Sequence, residues 1–266
     1  MIAQAKLDAW IGLFSAYRHP PGPHALQQWL NYFGGHDENL ASSVLDLVHL
    51  VSEHSIQQGY RRSLDRVSGW SPNKRDRRGR WFFAGYGSAG ESGQAMLRIF
   101  REANNLTSER FQYLFVSARE LPALQLTALD TVVFVDDFAG TGTQIVKSWP
   151  VTKELLGSEA RTFLILCAIT RSAQDRILAK TGMRVISPIV LQNQHNVFHN
   201  SFNSFNAAEK ARLNEYCSRA DSRNPRGYGG CGLLLVLAHR TPNNSLPILH
   251  VNRPRWRGIF PRYLVN

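Results

Sequence analysis

The chain has 266 residues, of which 43% are hydrophobic and 19% are charged, so it can build a sizeable core and is not disordered throughout. Its 31 basic and 20 acidic residues give a net charge of +11, which favours polyanionic partners such as nucleic acid and nucleotides. Three cysteines without a C-x-x-C pair argue against a zinc site or a disulfide framework and indicate a reducing, cytoplasmic compartment.

Residues 1–78 are predicted to form an N-terminal helical region. Apolar residues recur at helical spacing in three segments, which begin near Leu7, Pro23 and Leu40. The first ten residues are not typical of a signal peptide, and no apolar run reaches the roughly 20 residues that cross a bilayer. We therefore expect no association with a membrane.

The end of this region, residues 71–80 with the sequence SPNKRDRRGR, carries five basic residues and one acidic residue. A polar segment of this kind is typical of a solvated linker. Contact with a phosphate backbone is the alternative interpretation.

From residue 79 onward, short apolar runs alternate with amphipathic segments, which indicates an α/β domain over residues 79–266. The strands are nearly continuous apolar runs, so we expect a mostly parallel sheet with helices on both faces. Residues 192–231 interrupt the alternation and are interpreted as an insertion. The predicted strands are Trp81–Ala84, Tyr113–Val116, Thr131–Val135, Thr162–Ile169, Met183–Leu191 and Gly232–His239, and the predicted helices of this domain include Thr143–Leu156, Ala173–Lys180 and Ala207–Ser218.

Two acids, Asp136 and Asp137, follow the third of these strands, and we call them the acid pair. They are predicted at the carboxyl end of a parallel strand, which is the edge where open α/β sheets bind ligands. Their carboxylates are suited to accept hydrogen bonds from sugar hydroxyls, and they can also hold Mg²⁺ directly or through water.

The five residues that follow Phe138, AGTGT, form the second glycine loop: Ala139, Gly140, Thr141, Gly142 and Thr143. The glycines permit a tight turn and a close approach to an anion, and the threonines offer hydroxyl donors. A helix is predicted to begin here, and its N-terminal amides favour phosphate. The segment is not a P-loop, because no lysine follows Gly142. A loop that can bind phosphate, next to two carboxylates that can accept hydrogen bonds from hydroxyls, suits a sugar phosphate.

The run VVFVDDFAGTGT resembles the 5-phosphoribosyl-1-pyrophosphate (PRPP) motif of type I phosphoribosyltransferases. The resemblance implies a type I phosphoribosyltransferase-like fold. It further implies that the acid pair contacts the 2′- and 3′-hydroxyls of ribose, with Mg²⁺ nearby. The amides and hydroxyls of the second glycine loop would hold the 5′-phosphate.

The first glycine loop follows the first strand of the domain and covers residues 85–93. Ser88 and Glu91 have the spacing of a capping box for the next helix. In the resembled family the corresponding loop binds pyrophosphate. The residues assigned to this role are Gly85, Gly87, Ser88, Ser92 and Gly93, together with Arg119 from the segment before the third strand. The loop contains no basic residue, so a tight turn without strong pyrophosphate binding remains the alternative.

A closer resemblance covers roughly residues 80–263. The segments FFAGYGSAGESG, VVFVDDFAGTGTQ, GYGGCGLLLVLAHRTPNNSLPIL and RWRGIFPR are similar to the phosphoribosyltransferase-like domain of bacterial conflict systems, called PRTase-CE. The resemblance implies an effector of antiphage defence, including retron systems. Its partners would be a reverse transcriptase, a structured non-coding RNA with its msDNA product, and other defence proteins. In this setting residues 192–231 correspond to the hood that recognises the base.

Three functions stay open at this point. The first is an enzyme that uses PRPP or a related ribose phosphate for glycosyl transfer or glycosidic cleavage, toxic when activated. The second is an inactive subunit that senses a nucleotide. The third is a nucleic-acid-associated subunit, motivated by the charge of +11 and the segment KRDRRGR. The acceptor, the trigger and the oligomeric state are not indicated by the sequence.

Overall fold

The computed structural model describes residues 3–87, 92–157 and 159–263. The chain divides into two compact units. We call residues 54–191 the sheet unit, and residues 1–53 with 192–266 the helical unit. This division does not follow the boundary expected at residue 78, because a helix that precedes that boundary packs within the sheet unit.

The helices of the described residues are α1 (Gln4–Phe14), α2 (Pro23–Leu30), α3 (Glu38–Asp46), α4 (Glu53–Asp65), α5 (Ser92–Ala103), α6 (Thr143–Leu156), α7 (Arg171–Thr181), α8 (Ala207–Ala220) and α9 (Pro247–His250). The strands are β1 (His49–Val51), β2 (Trp81–Gly85), β3 (Thr131–Ala139), β4 (Arg161–Thr170), β5 (Arg184–Ile186), β6 (Ile189–Leu191), β7 (Leu235–Leu237), β8 (Asn252–Arg253) and β9 (Trp256–Arg257). None of these helices is long and apolar enough to cross a membrane.

The sheet unit contains a parallel sheet with the strand order β2, β3, β4, β5, and β6 also pairs with β4. The register places Phe82 beside Val132 and Val132 beside Thr162. All five residues of β2 are buried, as a strand covered on both faces requires. The predicted fold class, a mixed α/β fold with a mostly parallel sheet flanked by helices, is confirmed.

Helices cover both faces of this sheet, because alternate strand residues point to opposite sides. On one face Phe134 shares a hydrophobic core with Ile145 of α6 and Ile177 of α7. On the other face the ring centroid of Phe83 lies 5.1 Å from that of Phe100 in α5. The sheet is therefore the middle layer of three.

The prediction of a strand at Tyr113–Val116 is wrong. The 3₁₀ helices Glu109–Leu114 and Ala118–Leu124 lie on its two sides and leave one parallel bridge, between Phe83 and Phe115. Since the 3₁₀ turns satisfy the local backbone groups, too few residues remain to extend a ladder.

Two other strands are shorter than predicted. The run Met183–Leu191 is divided into β5 and β6 at Pro188, which has no backbone N–H to donate to a ladder. The run Gly232–His239 forms only β7, which pairs in parallel with β1 of the helical unit. The sequence pattern did not predict β1.

The helical unit has its own core, which combines the N-terminal helices with the segments after residue 192. Trp256 and Phe260 of the basic C-terminal segment are 1% and 0% exposed, so these aromatic residues form core and not surface. The side-chain amide of Asn244 donates to the carbonyl of Tyr228 at 2.8 Å, which supports a turn-forming role for this asparagine.

Candidate functional site

The acid pair lies at the carboxyl edge of the sheet, on β3, which extends to Ala139. Parallel pairing places Gly85 beside Val135, so the two glycine loops leave the sheet next to each other. Asp136 and Asp137 are both half-buried. This position is the one predicted for the acid pair from the sequence.

Ser92, the first residue of α5, connects the first glycine loop to the acid pair. Its Oγ lies 2.6 Å from Asp136 Oδ1 and 3.1 Å from Asp137 Oδ1. The Asp137 Oδ1 atom also accepts a hydrogen bond of 2.6 Å from the backbone N–H of Phe138. One hydroxyl has one proton to donate, and the shorter distance favours Asp136. The structure thus places Ser92 against the carboxylates that were predicted to hold ribose.

A buried tyrosine supports the strand beneath the acid pair. The hydroxyl of Tyr60, on α4, donates to the backbone carbonyl of Asp136 at 3.0 Å, and Cys167 Sγ donates to Tyr60 at 3.0 Å. Burial raises the pKa of the Tyr60 hydroxyl well above its usual range, and the nearby Cys167 and acid pair raise it further. The phenol therefore stays protonated and remains a donor to β3.

The second glycine loop is held in place from the neighbouring strand. Thr170, at the end of β4, donates from its Oγ1 to the carbonyl of Gly140 at 2.6 Å. Gly142 has φ +67°, a left-handed conformation that favours glycine. A Cβ atom at this position would also lie 3.1 Å from Ile177 Cγ1. Both the conformation and the close approach of α7 therefore favour glycine here.

The start of α6 offers the donors that a phosphate needs. The first amides of a helix have no intrahelical acceptor, and they carry the positive end of the helix dipole. Thr141 is half-buried and Thr143 is exposed, so the Thr143 hydroxyl is accessible from solvent. Thr141 Oγ1 accepts a long hydrogen bond of 3.3 Å from the Thr143 N–H, which orders the turn. This arrangement suits an anion at the helix N-terminus.

Arg176 adds a positive charge to the second glycine loop, and the sequence did not predict it. Its Nη1 donates to the carbonyl of Thr141 at 3.1 Å and to Thr143 Oγ1 at 2.9 Å. The side chain is exposed on α7. A guanidinium that contacts both threonines is well placed to bind an anion in the same loop.

The glycines of the first glycine loop are explained by packing. A Cβ atom on Gly85 would lie 2.6 Å from the backbone carbon of Gly93, and one on Gly93 would lie 2.7 Å from the backbone nitrogen of Tyr86. Gly87 is exposed with φ +96°. Residues 88–91, with the predicted capping box, lie outside the described residues. Close contact between β2 and α5 is thus sufficient to account for Gly85 and Gly93.

Arg119 is exposed in the 3₁₀ helix Ala118–Leu124. This 3₁₀ helix packs by its buried Leu121 into the same core as α6. The predicted contact of Arg119 with pyrophosphate stays a prediction.

The acid pair fits the way in which proteins hold Mg²⁺. Across the described ranges, no group of three or more His, Cys, Asp or Glu residues lies together as a metal site. Mg²⁺ is commonly bound by one or two carboxylates together with the phosphates of a ligand, so two adjacent aspartates meet this requirement.

A parallel sheet whose β3 ends in paired acids, a glycine–threonine turn and a helix defines a phosphoribosyltransferase-like α/β protein. The family model of PRTase-CE matches residues 26–262, and the chain therefore belongs to the PRTase-CE family. The match begins well before residue 80, so it includes most of the N-terminal helices as well as the sheet unit. No curated protein matches the chain.

Proposed function

We propose that the sheet unit binds PRPP, or a related ribose phosphate or nucleotide, together with Mg²⁺. The observation that carries the proposal is that three elements suited to bind an anion or a sugar meet at one sheet edge. These elements are the acid pair, the N-terminus of α6 and the guanidinium of Arg176, which contacts Thr141 and Thr143.

Each element has a separate part in binding. The acid pair accepts hydrogen bonds from the ribose 2′- and 3′-hydroxyls, in exchange for part of its contact with Ser92. The amides of the second glycine loop and of α6 bind the 5′-phosphate, and Arg176 neutralises it. Mg²⁺ would be held by the acid pair and by ligand phosphates, and it would offset the charge of a pyrophosphate leaving group.

Catalysis by such a site would rest on orientation and electrostatics. Loss of pyrophosphate from PRPP develops positive charge at the anomeric carbon, and the nearby carboxylates stabilise that charge. Fixing the phosphate and both hydroxyls holds the sugar in one orientation toward an acceptor. We propose glycosyl transfer or glycosidic cleavage as the reaction class. Resemblance to conflict-system proteins supports a role as a toxic effector in antiphage defence of the retron kind.

The double variant Asp136→Asn/Asp137→Asn tests the proposal. Titration calorimetry with PRPP and Mg²⁺ should show affinity lowered by at least about 100-fold, because each of the two hydrogen bonds to a charged group contributes about 1.5–3 kcal/mol. The control Asp65→Asn removes an exposed carboxylate at the end of α4 and should bind normally. Equal affinity of the double variant and the control would contradict the proposed site.

Pyrophosphate release from PRPP then separates an enzyme from a sensor. If the parent protein turns over PRPP, and the double variant loses both turnover and protection against phage, the catalytic proposal is supported. Protection that persists after ligand binding is abolished would contradict it.

The alternative is a nucleotide-sensing subunit without catalysis. The first glycine loop has no basic residue in its sequence, and its Gly85 and Gly93 serve the packing of β2 against α5. A site with strong phosphate binding and weak pyrophosphate binding suits a nucleoside monophosphate better than PRPP. Calorimetry with ribose 5-phosphate, a nucleoside monophosphate and PRPP compares the two candidates directly.

A further inference from the structure

The basic segment 71–80 is docked on aromatic side chains. The guanidinium carbon of Arg77 lies 5.1 Å from the ring centroid of Trp70, and its Nη2 donates to the hydroxyl of Tyr113 at 2.9 Å. The ammonium of Lys74 lies 5.6 Å from the ring centroid of Tyr113. The segment is largely exposed, as expected of a solvated linker, but Lys74 and Arg77 also hold it against the sheet unit.

A buried ring connects the aromatic side chains beneath this segment, since Phe83 is 0% exposed. Phe83 packs against both Trp70 and Phe115, with centroid distances of 5.0 Å and 5.4 Å, so these rings form one cluster. The guanidinium of Arg101 lies 4.9 Å from the Phe115 ring. We call the resulting surface the basic aromatic face; its members are Trp70, Lys74, Arg75, Arg77, Arg78, Arg101, Tyr113 and Phe115.

The positive charge of this face is not neutralised within the fold. Arg75 and Arg78 are exposed, and across the described ranges neither has an ion-pair partner. Arg80 differs from them, because its Nη2 pairs with Asp130 Oδ2 at 2.7 Å. Asp76 is the one acid within residues 71–80. Contacts that stabilise the sheet unit thus explain why Arg77 and Arg80 are present, but they do not explain Arg75 and Arg78.

We infer that the basic aromatic face binds single-stranded nucleic acid. Arg75 and Arg78 contact phosphates, and a base stacks on the part of the Tyr113 ring that Lys74 leaves uncovered, since Tyr113 is 48% exposed. Basic grooves combined with exposed aromatic rings are the usual means of binding single strands, since every base has a stacking face. A duplex hides its bases from such a ring. This inference is independent of the proposed ribose-phosphate site, because no residue is shared between the two.

Fluorescence anisotropy with labelled oligothymidine and oligouridine of about 20 nucleotides, and with a duplex of equal length, tests the inference at several salt concentrations. We expect both single strands to bind more tightly than the duplex. The variant Arg75→Ala/Arg78→Ala should weaken binding at least about tenfold at low salt, and it should reduce the salt slope by roughly 1.4, or about 0.7 for each phosphate that is no longer neutralised. Tyr113→Ala should weaken single-strand binding about tenfold and duplex binding less.

The control Lys153→Ala/Lys180→Ala removes the same charge from the ends of α6 and α7, where both lysines are exposed. If the control weakens binding as much as Arg75→Ala/Arg78→Ala, net charge and not this face is responsible, and the inference is overturned. Absence of oligonucleotide binding at low salt would overturn it as well. So would binding to phosphatidylserine vesicles in place of oligonucleotides. Thermal melting should be unchanged in Arg75→Ala/Arg78→Ala, since neither arginine forms an ion pair that supports the fold.

Discussion

The two glycine loops leave adjacent strands of one sheet, yet their glycines have different physical causes. In the first glycine loop, Gly85 and Gly93 allow two backbone segments to touch. In the second, Gly142 supplies a left-handed turn at the start of α6, with Arg176 close to the neighbouring threonines. A loop rich in glycine is therefore not evidence of phosphate binding unless donors and a positive charge converge on it. The difference predicts that substitutions in the first loop mainly change stability, whereas those in the second change ligand binding.

The largest effect is expected for Gly93→Ala. The new Cβ would overlap with the backbone of Tyr86, so the free energy of unfolding should fall by about 3 kcal/mol, as for a severe case of overpacking. Urea denaturation followed by circular dichroism measures the change. Gly12→Ala is the control, since a Cβ in α1 meets no atom within 4 Å. Equal stability of the two variants would mean that packing does not explain the first loop.

The next effect is expected for Gly142→Ala. Its positive φ should cost about 1–2 kcal/mol of stability, and the close approach to Ile177 should displace the loop and weaken phosphate binding. Gly182→Ala is a matched control, because Gly182 has φ +72° but open space around its Cβ position. It should lose stability by the same conformational strain and keep ligand affinity. A ligand affinity that Gly142→Ala leaves unchanged would count against the proposed phosphate site.

The local determinants of the second glycine loop explain why it could be predicted from the sequence. An apolar run, two acids, a glycine turn and a helix follow one another without interruption, and the predicted bounds Thr143–Leu156 are those of α6. Tyr60, Thr170 and Arg176 could not be predicted in their roles. Their bonds to the site join residues 76, 30 and 35 positions apart, and only the folded sheet brings them together.

The helical unit shows the same limit at the level of whole elements. β1 and β7 have three residues each, which is too short for a periodic pattern, and their pairing joins His49 to Leu235. The motifs that carried the resemblance begin near residue 80, whereas the family match begins at residue 26. The helices α3 and α4, with most of α2, are thus part of the family match, whereas α1 lies before it.

A smaller effect, confined to binding, is expected for Arg176→Gln. Removing one charged partner of the anion should weaken ribose 5-phosphate binding about tenfold, equal to about 1.4 kcal/mol, while the unfolding free energy changes little because the side chain is exposed. Calorimetry against ribose 5-phosphate and against ribose gives the measurement. Only the phosphorylated sugar should be affected. Arg171→Gln, an exposed arginine at the start of α7, should bind both sugars as the parent does.

The smallest effect is expected for Ser92→Ala, and it decides to which part of the site Ser92 belongs. The sequence resemblance assigns Ser92 to pyrophosphate, whereas its hydroxyl lies 2.6 Å from Asp136. If Ser92 acts through the acid pair, the variant should change the affinities for PRPP and ribose 5-phosphate by the same factor, about fivefold or less, since one hydrogen bond contributes about 1 kcal/mol. A loss confined to PRPP would restore the pyrophosphate role. The control is Ser108→Ala, which removes an exposed serine hydroxyl in the same unit that makes no capping hydrogen bond. Because both ligands share the sugar and the 5′-phosphate, their ratio isolates the pyrophosphate contact from every other part of the site.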